Sequence, residues 1–246
     1  MNILDYKIKR LIGQGSYGKV YLGYKDKDDH HLYALKKINL LDLDQYCKKN
    51  LVNEIKILSC VNCCYLINNK DIFTYQNNIY LVSDYAVKGD LSNIIKNHQN
   101  YKTKFAENTI WKYFIQIIFG LKYLHSNDII HRDIKSNNIF VDKNDNIKIG
   151  DFGISKILTN YLNYAQTIIG TPYYLAPEIL KRIRYNSKVD IWSLGVILYE
   201  LITLSVPFKG SNMNELKNNI LSGYYNKQLL NYNYELKVIL ITLLRD

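Results

Sequence analysis

The residues best suited to catalysis lie between positions 131 and 153, in the motifs HRDIKSNN and DFG. Asp133 is a carboxylate that can accept or orient a hydroxyl proton, and Lys135 can neutralise charge on a phosphate. Asn138 and Asp151 offer hard oxygen ligands of the kind that Mg²⁺ prefers. This set of groups in one short span predicts phosphoryl transfer assisted by magnesium.

A second signal lies near the start of the chain, where residues 13–20 (GQGSYGKV) fit the pattern G-x-G-x-x-G-x-V. Glycine lets a backbone fold onto phosphates without a side chain in the way. The pattern alone is weak, because dinucleotide-binding folds share it and an ordinary hairpin turn could also place glycines there. Residues 8–12 and 19–24 both have strand patterns, which favours a strand–loop–strand unit over a dinucleotide site.

These motifs resemble the catalytic loop, the metal-binding loop and the glycine-rich phosphate lid of the eukaryotic protein kinases. The motifs APE at 176–178 and DIWSLG at 190–195 fit the same family. In detail the chain is most similar to the NIMA-related (Nek) kinases, on the segments 137–140 (NNIF), 149–151 (IGD) and 170–175 (GTPYYL). The resemblance covers essentially the whole chain.

The resemblance implies a serine/threonine protein kinase that uses ATP and Mg²⁺ and acts on Ser or Thr residues of protein substrates. Lys135 goes with serine/threonine specificity in this family. The alternative is a nucleotide-binding scaffold with little turnover. Loss of Lys36, Asp133 or Asp151 would favour the scaffold, and all three are present.

The implied fold is α+β and bilobal, in a single kinase domain over 1–246. A small β-rich N-lobe with one main helix is expected over about 1–83, a hinge over about 84–89 and a larger, mainly helical C-lobe over about 90–246. The family also has a last helix, and this sequence is expected either to lack it or to carry a divergent form. Apolar residues at steps of three and four over 109–125 predict a long amphipathic helix that leads to the catalytic loop.

The resemblance also implies the positions that bind ATP. Lys36 would hold the α and β phosphates, while Lys37 points to the opposite side of the same strand. Glu54, on a helical repeat, would be the ion-pair partner of Lys36; the alternative is a solvated helix glutamate. The other implied ATP-binding positions are Ile12, Gly13, Gly15, Gly18, Val20, Ala34, Ser83, Asp84, Ala86, Asp90 and Phe140.

Two of these positions carry further expectations. Ser83 occupies the gatekeeper position, where most kinases have a larger residue, so a widened pocket behind the adenine is expected. Asp90 could reach the ribose or a basic residue of the substrate. Equally, Asp90 could cap the N-terminus of the helix that follows it.

The segment between the DFG and APE motifs implies regulation. Thr171 is placed where it could bridge Asp133 and Lys135. Thr167 is the expected phosphosite, modified by an upstream kinase or by trans-autophosphorylation, and Arg132 could pair with the phosphate. The alternative is that Thr167 is an unmodified, exposed threonine. Asp190 is expected to anchor the catalytic loop by hydrogen bonds, or else to be a plain helix cap.

Composition argues against several other classes. The net charge is +10 over 246 residues, but the lysines are scattered, so no nucleic-acid partner is expected. No stretch approaches 18 uninterrupted apolar residues, and no room is left for a signal peptide, so no membrane partner is expected. We therefore expect an intracellular protein, cytoplasmic and/or nuclear, with reduced thiols. Cys60 and Cys63 could be half a zinc site, but no second pair follows at suitable spacing.

Overall fold

The computed structural model describes residues 2–15, 18–25, 28–43, 61–151, 172–226 and 234–245, together with positions 45, 48, 51, 55 and 59. Three predicted functional residues, Glu54, Thr167 and Thr171, lie outside these described residues.

The first part of the chain forms an antiparallel sheet of six strands in the order β1-β2-β3-β4-β6-β5. Their bounds are β1 Asn2–Ile3, β2 Tyr6–Gly15, β3 Gly18–Lys25, β4 Asp28–Asn39, β5 Asn69–Tyr75 and β6 Asn78–Asp84. The strand–loop–strand prediction around the glycine motif is therefore confirmed, because β2 and β3 pair as a hairpin that closes at Gly15 and Gly18. Positions 45, 48, 51, 55 and 59 are helical.

The second part is mainly helical. Its helices are α1 Leu91–Asn100, α2 Glu107–Ser126, α3 Pro177–Leu180, α4 Lys188–Thr203, α5 Met213–Ser222 and α6 Tyr234–Leu243. A short hairpin of β7 Ile139–Val141 and β8 Ile147–Ile149, and 3₁₀ turns at Ser136–Asn138 and Pro172–Tyr174, complete the described elements. This arrangement confirms the predicted α+β class.

Helix α4 lies at the centre of the helical part. Thirteen of its 16 residues are buried, as expected for a helix that is apolar on all sides. Only two charged residues, Asp190 and Glu200, are among those 13. Burying a charged group is costly unless it is hydrogen-bonded, so both carboxyl groups need partners at the centre of the fold.

Helix α2 packs against α4 and β8. Its buried stripe recurs at steps of three and four, as the periodicity predicts: Ile110, Tyr113, Phe114, Ile117, Gly120, Leu121 and Leu124. The chain leaves α2 at Ser126 and enters the catalytic loop five residues later. Among the helices that the structure describes, none is long and apolar enough to cross a membrane.

Candidate active site

The backbone of the catalytic loop is hydrogen-bonded to Asp190, which lies in the first turn of α4. The Asp190 carboxylate accepts hydrogen bonds from the backbone N–H groups of His131 (2.9 Å) and Arg132 (2.8 Å) and from the His125 ring (2.8 Å). Burial raises the pKa of Asp190, but these bonds and the nearby His131 lower it more, so the net pKa is below its ordinary value. Asp190 therefore anchors the loop, as the sequence suggested.

A second set of bonds fixes the loop against the segment that ends at Asp151. The His131 Nε2–H donates to the Gly150 carbonyl at 2.9 Å, and the His131 Nδ1 accepts from the Asp133 N–H at 3.2 Å. The Gly150 N–H in turn donates to the Asn138 carbonyl at 2.8 Å. Because His131 is 1% exposed, this bonding fixes where Asp133 and Asp151 lie relative to each other.

Two predicted catalytic side chains, Asp133 and Lys135, and the predicted metal ligand Asn138 meet within this loop. The Lys135 ammonium lies 2.9 and 2.8 Å from the two carboxylate oxygens of Asp133. The Asn138 side-chain amide donates to the Asp133 carbonyl (2.8 Å) and to its carboxylate (2.9 Å). The Nδ2 group of Asn138 donates both of these hydrogen bonds. Its Oδ1 can therefore accept another hydrogen bond or coordinate a metal ion.

On the opposite wall of the cleft, the Lys36 ammonium forms an ion pair with the Asp151 carboxylate. Burial raises the pKa of Asp151. The positive charge of Lys36, together with His131 and Lys135, lowers it more, so the net pKa is below its ordinary value. The Asp151 side chain is nevertheless 43% exposed. Asp151 is therefore ionised at neutral pH and accessible from the cleft.

The donor set fits a magnesium ion. Asp151 offers an ionised carboxylate oxygen and Asn138 a neutral amide oxygen, both hard ligands. Magnesium usually takes one or two protein ligands of this kind and completes its shell with water and substrate phosphates. Within the part of the chain that the structure describes, no cluster of three His, Cys, Asp or Glu residues could hold a metal.

The glycine loop is shaped by its contact with β4. Gly18 has φ of +143°, and a Cβ at this position would collide with the backbone carbonyl of Lys37. Glycine is thus required at this position, where β3 pairs with β4. Gly13 and Gly15 lie in β2, where Gly13 pairs with Val20, and Ile12 lies at the bulge between Leu11 and Gly13.

The predicted adenine-binding residues of the central strands lie on one face of the sheet. Val20 pairs with Lys36, and Ala34 pairs with Ser83, the predicted gatekeeper, which is 9% exposed. On β7, the Phe140 ring packs against Gly150, where an added Cβ would lie 2.7 Å from a ring carbon. A small residue before Asp151 therefore lets Phe140 take its position.

The predicted hinge, at about 84–89, begins at the last residue of β6. The Asp84 carboxylate points away from the cleft, to the His31 ring at 2.8 Å and the Lys70 ammonium at 3.2 Å, so only its backbone can face a nucleotide. The Ala86 carbonyl accepts from the Gly89 N–H at 3.0 Å, which closes a turn before α1.

The structure shows one of the two roles considered for Asp90. The Asp90 carboxylate accepts from the Asn93 backbone N–H at 2.9 Å and from its side-chain amide at 2.6 Å. Asp90 is therefore the N-cap of α1, and contact with a ribose or a substrate residue stays a prediction.

Sequence reasoning missed a buried set of polar residues behind the loop. The Tyr174 hydroxyl lies between Ser136 and Glu200, and the Ser193 hydroxyl donates to the Tyr174 carbonyl at 2.8 Å. The sequence did indicate a buried polar site here, because Glu200 is a charged residue inside the largely apolar segment 191–202. Such a residue is almost never buried without a partner.

Next to Asp133 a small cleft opens between the catalytic loop, the 172–175 segment and α4. Its lining is polar and apolar in about equal parts, with Arg132 and Asp133 among the polar residues. The buried Arg132 Nε has no hydrogen-bond partner among the described residues, and the guanidinium lies 5.5 Å from the centre of the Tyr185 ring.

Comparison with known proteins agrees with the motifs. The profile of the protein kinase domain matches residues 6–239. The chain is 38% identical over 234 residues to the serine/threonine-protein kinase Nek1 of Mus musculus, covering 95% of this chain and 19% of that protein. It is 37% identical over 241 residues to the probable serine/threonine-protein kinase nek2 of Dictyostelium discoideum, covering 96% and 57%.

A third relative, the serine/threonine-protein kinase Nek5 of Homo sapiens, is 39% identical over 221 residues, covering 89% of this chain and 31% of that protein. The chain thus spans less than two thirds of the length of each of these relatives.

Proposed function

The chain belongs to the protein kinase family, and from that premise we propose that it transfers the γ-phosphate of ATP to serine and threonine hydroxyls of proteins. The similarity to Nek serine/threonine kinases confirms the family resemblance of the motifs. The observation that carries the proposal is the convergence of Lys36, Asp151, Asp133, Lys135 and Asn138 in one cleft, from segments far apart in the chain.

Each group has a role that its contacts support. Asp133 would orient the acceptor hydroxyl and take its proton, and Lys135, already beside that carboxylate, would neutralise charge on the transferring phosphate. Asn138 and Asp151 would hold Mg²⁺, which supplies charge neutralisation on the phosphates when bound. Lys36 would exchange its contact with Asp151 for the α and β phosphates.

Protein substrates are supported by the membership of the chain in the protein kinase family and by its similarity to serine/threonine-protein kinases. Ile134, Leu175 and Val189 line a small cleft beside Asp133, where a residue next to the acceptor hydroxyl could lie.

We further propose that phosphorylation of Thr167, by an upstream kinase or in trans, raises activity. Support comes from Arg132, whose Nε has no partner among the described residues and whose backbone is fixed by Asp190. A phosphate could pair with this guanidinium. Thr167→Ala should then lower turnover, while a Thr167→Ala enzyme with wild-type turnover would contradict this part of the proposal.

We also infer that the protein acts inside the cell. Cys63 and Cys64, the two cysteines among the described residues, are both free, and the Cys64 side chain is exposed. Free exposed thiols persist in reducing compartments.

The proposed activity is tested by magnesium-dependent transfer of labelled phosphate from ATP to a general Ser/Thr protein substrate. Asp151→Asn and Lys36→Met should abolish transfer. Lys37→Met is the matched control, because Lys37 is the next residue of β4 and pairs on the other face with Lys19. Lys37→Met should retain transfer. Absence of transfer by the wild type, with ATP still raising the melting temperature, would contradict the proposal.

A further inference from the structure

A basic segment, residues 181–188, connects α3 to α4 beside the small cleft next to Asp133. Its sequence, KRIRYNSK, has four basic residues and no acidic one. Seven of its eight residues are exposed, including all four basic ones. Ile179, two residues before the segment, and Val189, directly after it, both line the cleft. The segment therefore begins and ends at the cleft and presents its positive charge to solvent.

The basic segment is also unusual in using arginine. Most basic residues of this chain are lysines, and arginine occurs at five positions: Arg10, Arg132, Arg182, Arg184 and Arg245. Two of the five thus fall within eight residues. The planar guanidinium can donate two parallel hydrogen bonds to a carboxylate, whereas a lysine ammonium acts as a point charge. A cluster of arginines therefore favours a carboxylate or phosphate ligand over general solvation.

The backbone of the basic segment is held at both ends. Three consecutive N–H groups, those of residues 181–183, donate to carbonyls of α3 at 2.8 to 3.1 Å. At the other end, the Lys188 N–H donates to the Asn186 side chain at 2.9 Å. A ligand that binds here does not have to order the backbone first, so less conformational entropy is lost on binding.

Two of the basic residues lie where the local backbone disfavours them. Arg182 has a φ of +57°, in the left-handed region that glycine or asparagine usually occupies after a helix. Lys188 is the first residue of α4, where the helix dipole favours an acidic side chain. Neither charge is explained by the stability of the adjoining helices, so a role in binding accounts for them better.

The chain itself offers little negative charge to neutralise this segment. Within the described ranges, the side chains of Arg182, Arg184 and Lys188 form no ion pair with a carboxylate. The sequences of 152–171 and 227–233 contain no Asp or Glu at all. An anion that pairs with these arginines must therefore come largely from another molecule.

The positive charge continues to the residue beside the catalytic carboxylate. The Arg132 guanidinium lies 5.5 Å from the centre of the Tyr185 ring, and Tyr185 is the neighbour of Arg184 in the basic segment. Arg132 directly precedes Asp133. An extended peptide advances roughly 3.3 Å per residue, so residues close to an acceptor hydroxyl on Asp133 would meet this positive surface.

We propose that the basic segment selects protein substrates that carry Asp or Glu close to the acceptor serine or threonine, with Arg182 and Arg184 as specificity-determining residues. The ligand is the acidic segment of the substrate itself. Its carboxylates pair with the two guanidinium groups, and the opposite charges also speed the encounter of substrate and enzyme. This inference rests on the proposed kinase activity and names the substrate class of the same site.

The test uses two peptides that are identical except for Glu or Gln at the positions flanking a single serine. kcat/KM is measured for the wild type, Arg182→Gln, Arg184→Gln and the double variant. Arg10→Gln is the matched control, because Arg10 is an exposed arginine of β2 in the other part of the chain.

We expect the wild type to prefer the Glu peptide. Each single variant should lose roughly fivefold of that preference, which is the upper end for an exposed ion pair, and the double variant should lose more. Raising the salt concentration to 0.5 M should shrink the wild-type preference, because the charges are then screened. Arg10→Gln should keep the wild-type preference.

Arg182→Gly separates recognition from folding. Glycine suits the left-handed backbone at this position, so the variant should keep or raise the melting temperature. It should nevertheless lose as much preference for the Glu peptide as Arg182→Gln. A preference that survives in Arg182→Gly would contradict a role of this guanidinium in recognition.

Equal kcat/KM of the wild type for both peptides, or an undiminished preference in the double variant, would overturn the proposal. So would an equal loss on both peptides, which is expected if the arginines bind a phosphate on Thr167 instead. If the wild type is inactive, the proposed function is contradicted, and fluorescence anisotropy of a labelled Glu peptide then decides the inference alone. Binding that the double variant loses would support it, and no binding would overturn it.

Discussion

The buried carboxylate of Asp190 provides a direct test of how the catalytic loop is held. Asp190→Ala removes the acceptor for the His131 and Arg132 backbone N–H groups at a position that is 1% exposed. A buried donor left without a partner costs about 1–3 kcal/mol, so two such donors should lower the free energy of unfolding by roughly 4 kcal/mol. A domain has only about 5–15 kcal/mol in total, so the loss is large.

The measurement is equilibrium unfolding in guanidinium chloride, followed by fluorescence of the two tryptophans. Asp190→Asn keeps one carbonyl oxygen and should lose less stability than Asp190→Ala. Asp128→Asn is the control, because it removes the same charge from an exposed turn just after α2, and its midpoint should match the wild type. The expected order is therefore wild type and Asp128→Asn, then Asp190→Asn, then Asp190→Ala.

Activity should follow the same order under conditions in which each variant is folded. Displacing a catalytic group by about 1 Å can cost on the order of a hundredfold in rate, so kcat of Asp190→Ala should fall by about that factor. An unfolding free energy within about 1 kcal/mol of the wild type would refute the anchoring argument, because it is less than one unsatisfied donor should cost. Unchanged kcat would refute the link between the anchor and catalysis.

Three further perturbations have defined outcomes. Ser83→Met should weaken inhibition by adenine mimics with bulky groups, because Ser83 pairs with Ala34 at the back of the pocket, and equal inhibition constants would contradict this. Gly150→Ala should raise KM for ATP and cost about 1–3 kcal/mol, because its Cβ would lie 2.7 Å from the Phe140 ring; a wild-type KM would contradict this. Glu200, with its pKa raised from 4.5 to about 7, contributes stability that is present below pH 4.5 and lost as the pH rises through 7. The loss should be roughly 3 kcal/mol, visible as a falling urea midpoint that Glu200→Gln abolishes.

Motif reasoning located the elements well because the patterns that define them are local. The β2–β3 hairpin follows from glycines between two apolar strands, and α2 follows from a stripe at steps of three and four. Successive residues of a strand point to opposite faces, so the spacing of the motif is enough to separate Lys36 from Lys37. None of these predictions needed a contact between distant parts of the chain.

The outcome at Asp90 shows where such reasoning stops. The sequence permits a side chain that reaches the ribose and one that caps a helix, since both need an aspartate in front of an amphipathic segment. The bonds to Asn93 assign the capping role. Asp84 is similar, because its carboxylate points to His31 and Lys70, which only the pairing of β4, β5 and β6 brings beside it.

The sequence by itself determined the family and the α+β class and predicted the groups for the proposed chemistry, because motif spacing encodes them over a few residues. Only the tertiary structure decided which groups meet. Lys36 and Asp151 are 115 positions apart, and Ser136, Tyr174 and Glu200 come from three segments. Such contacts arise when buried polar groups must satisfy one another inside a packed core, and that constraint acts on neighbours in space and not in sequence.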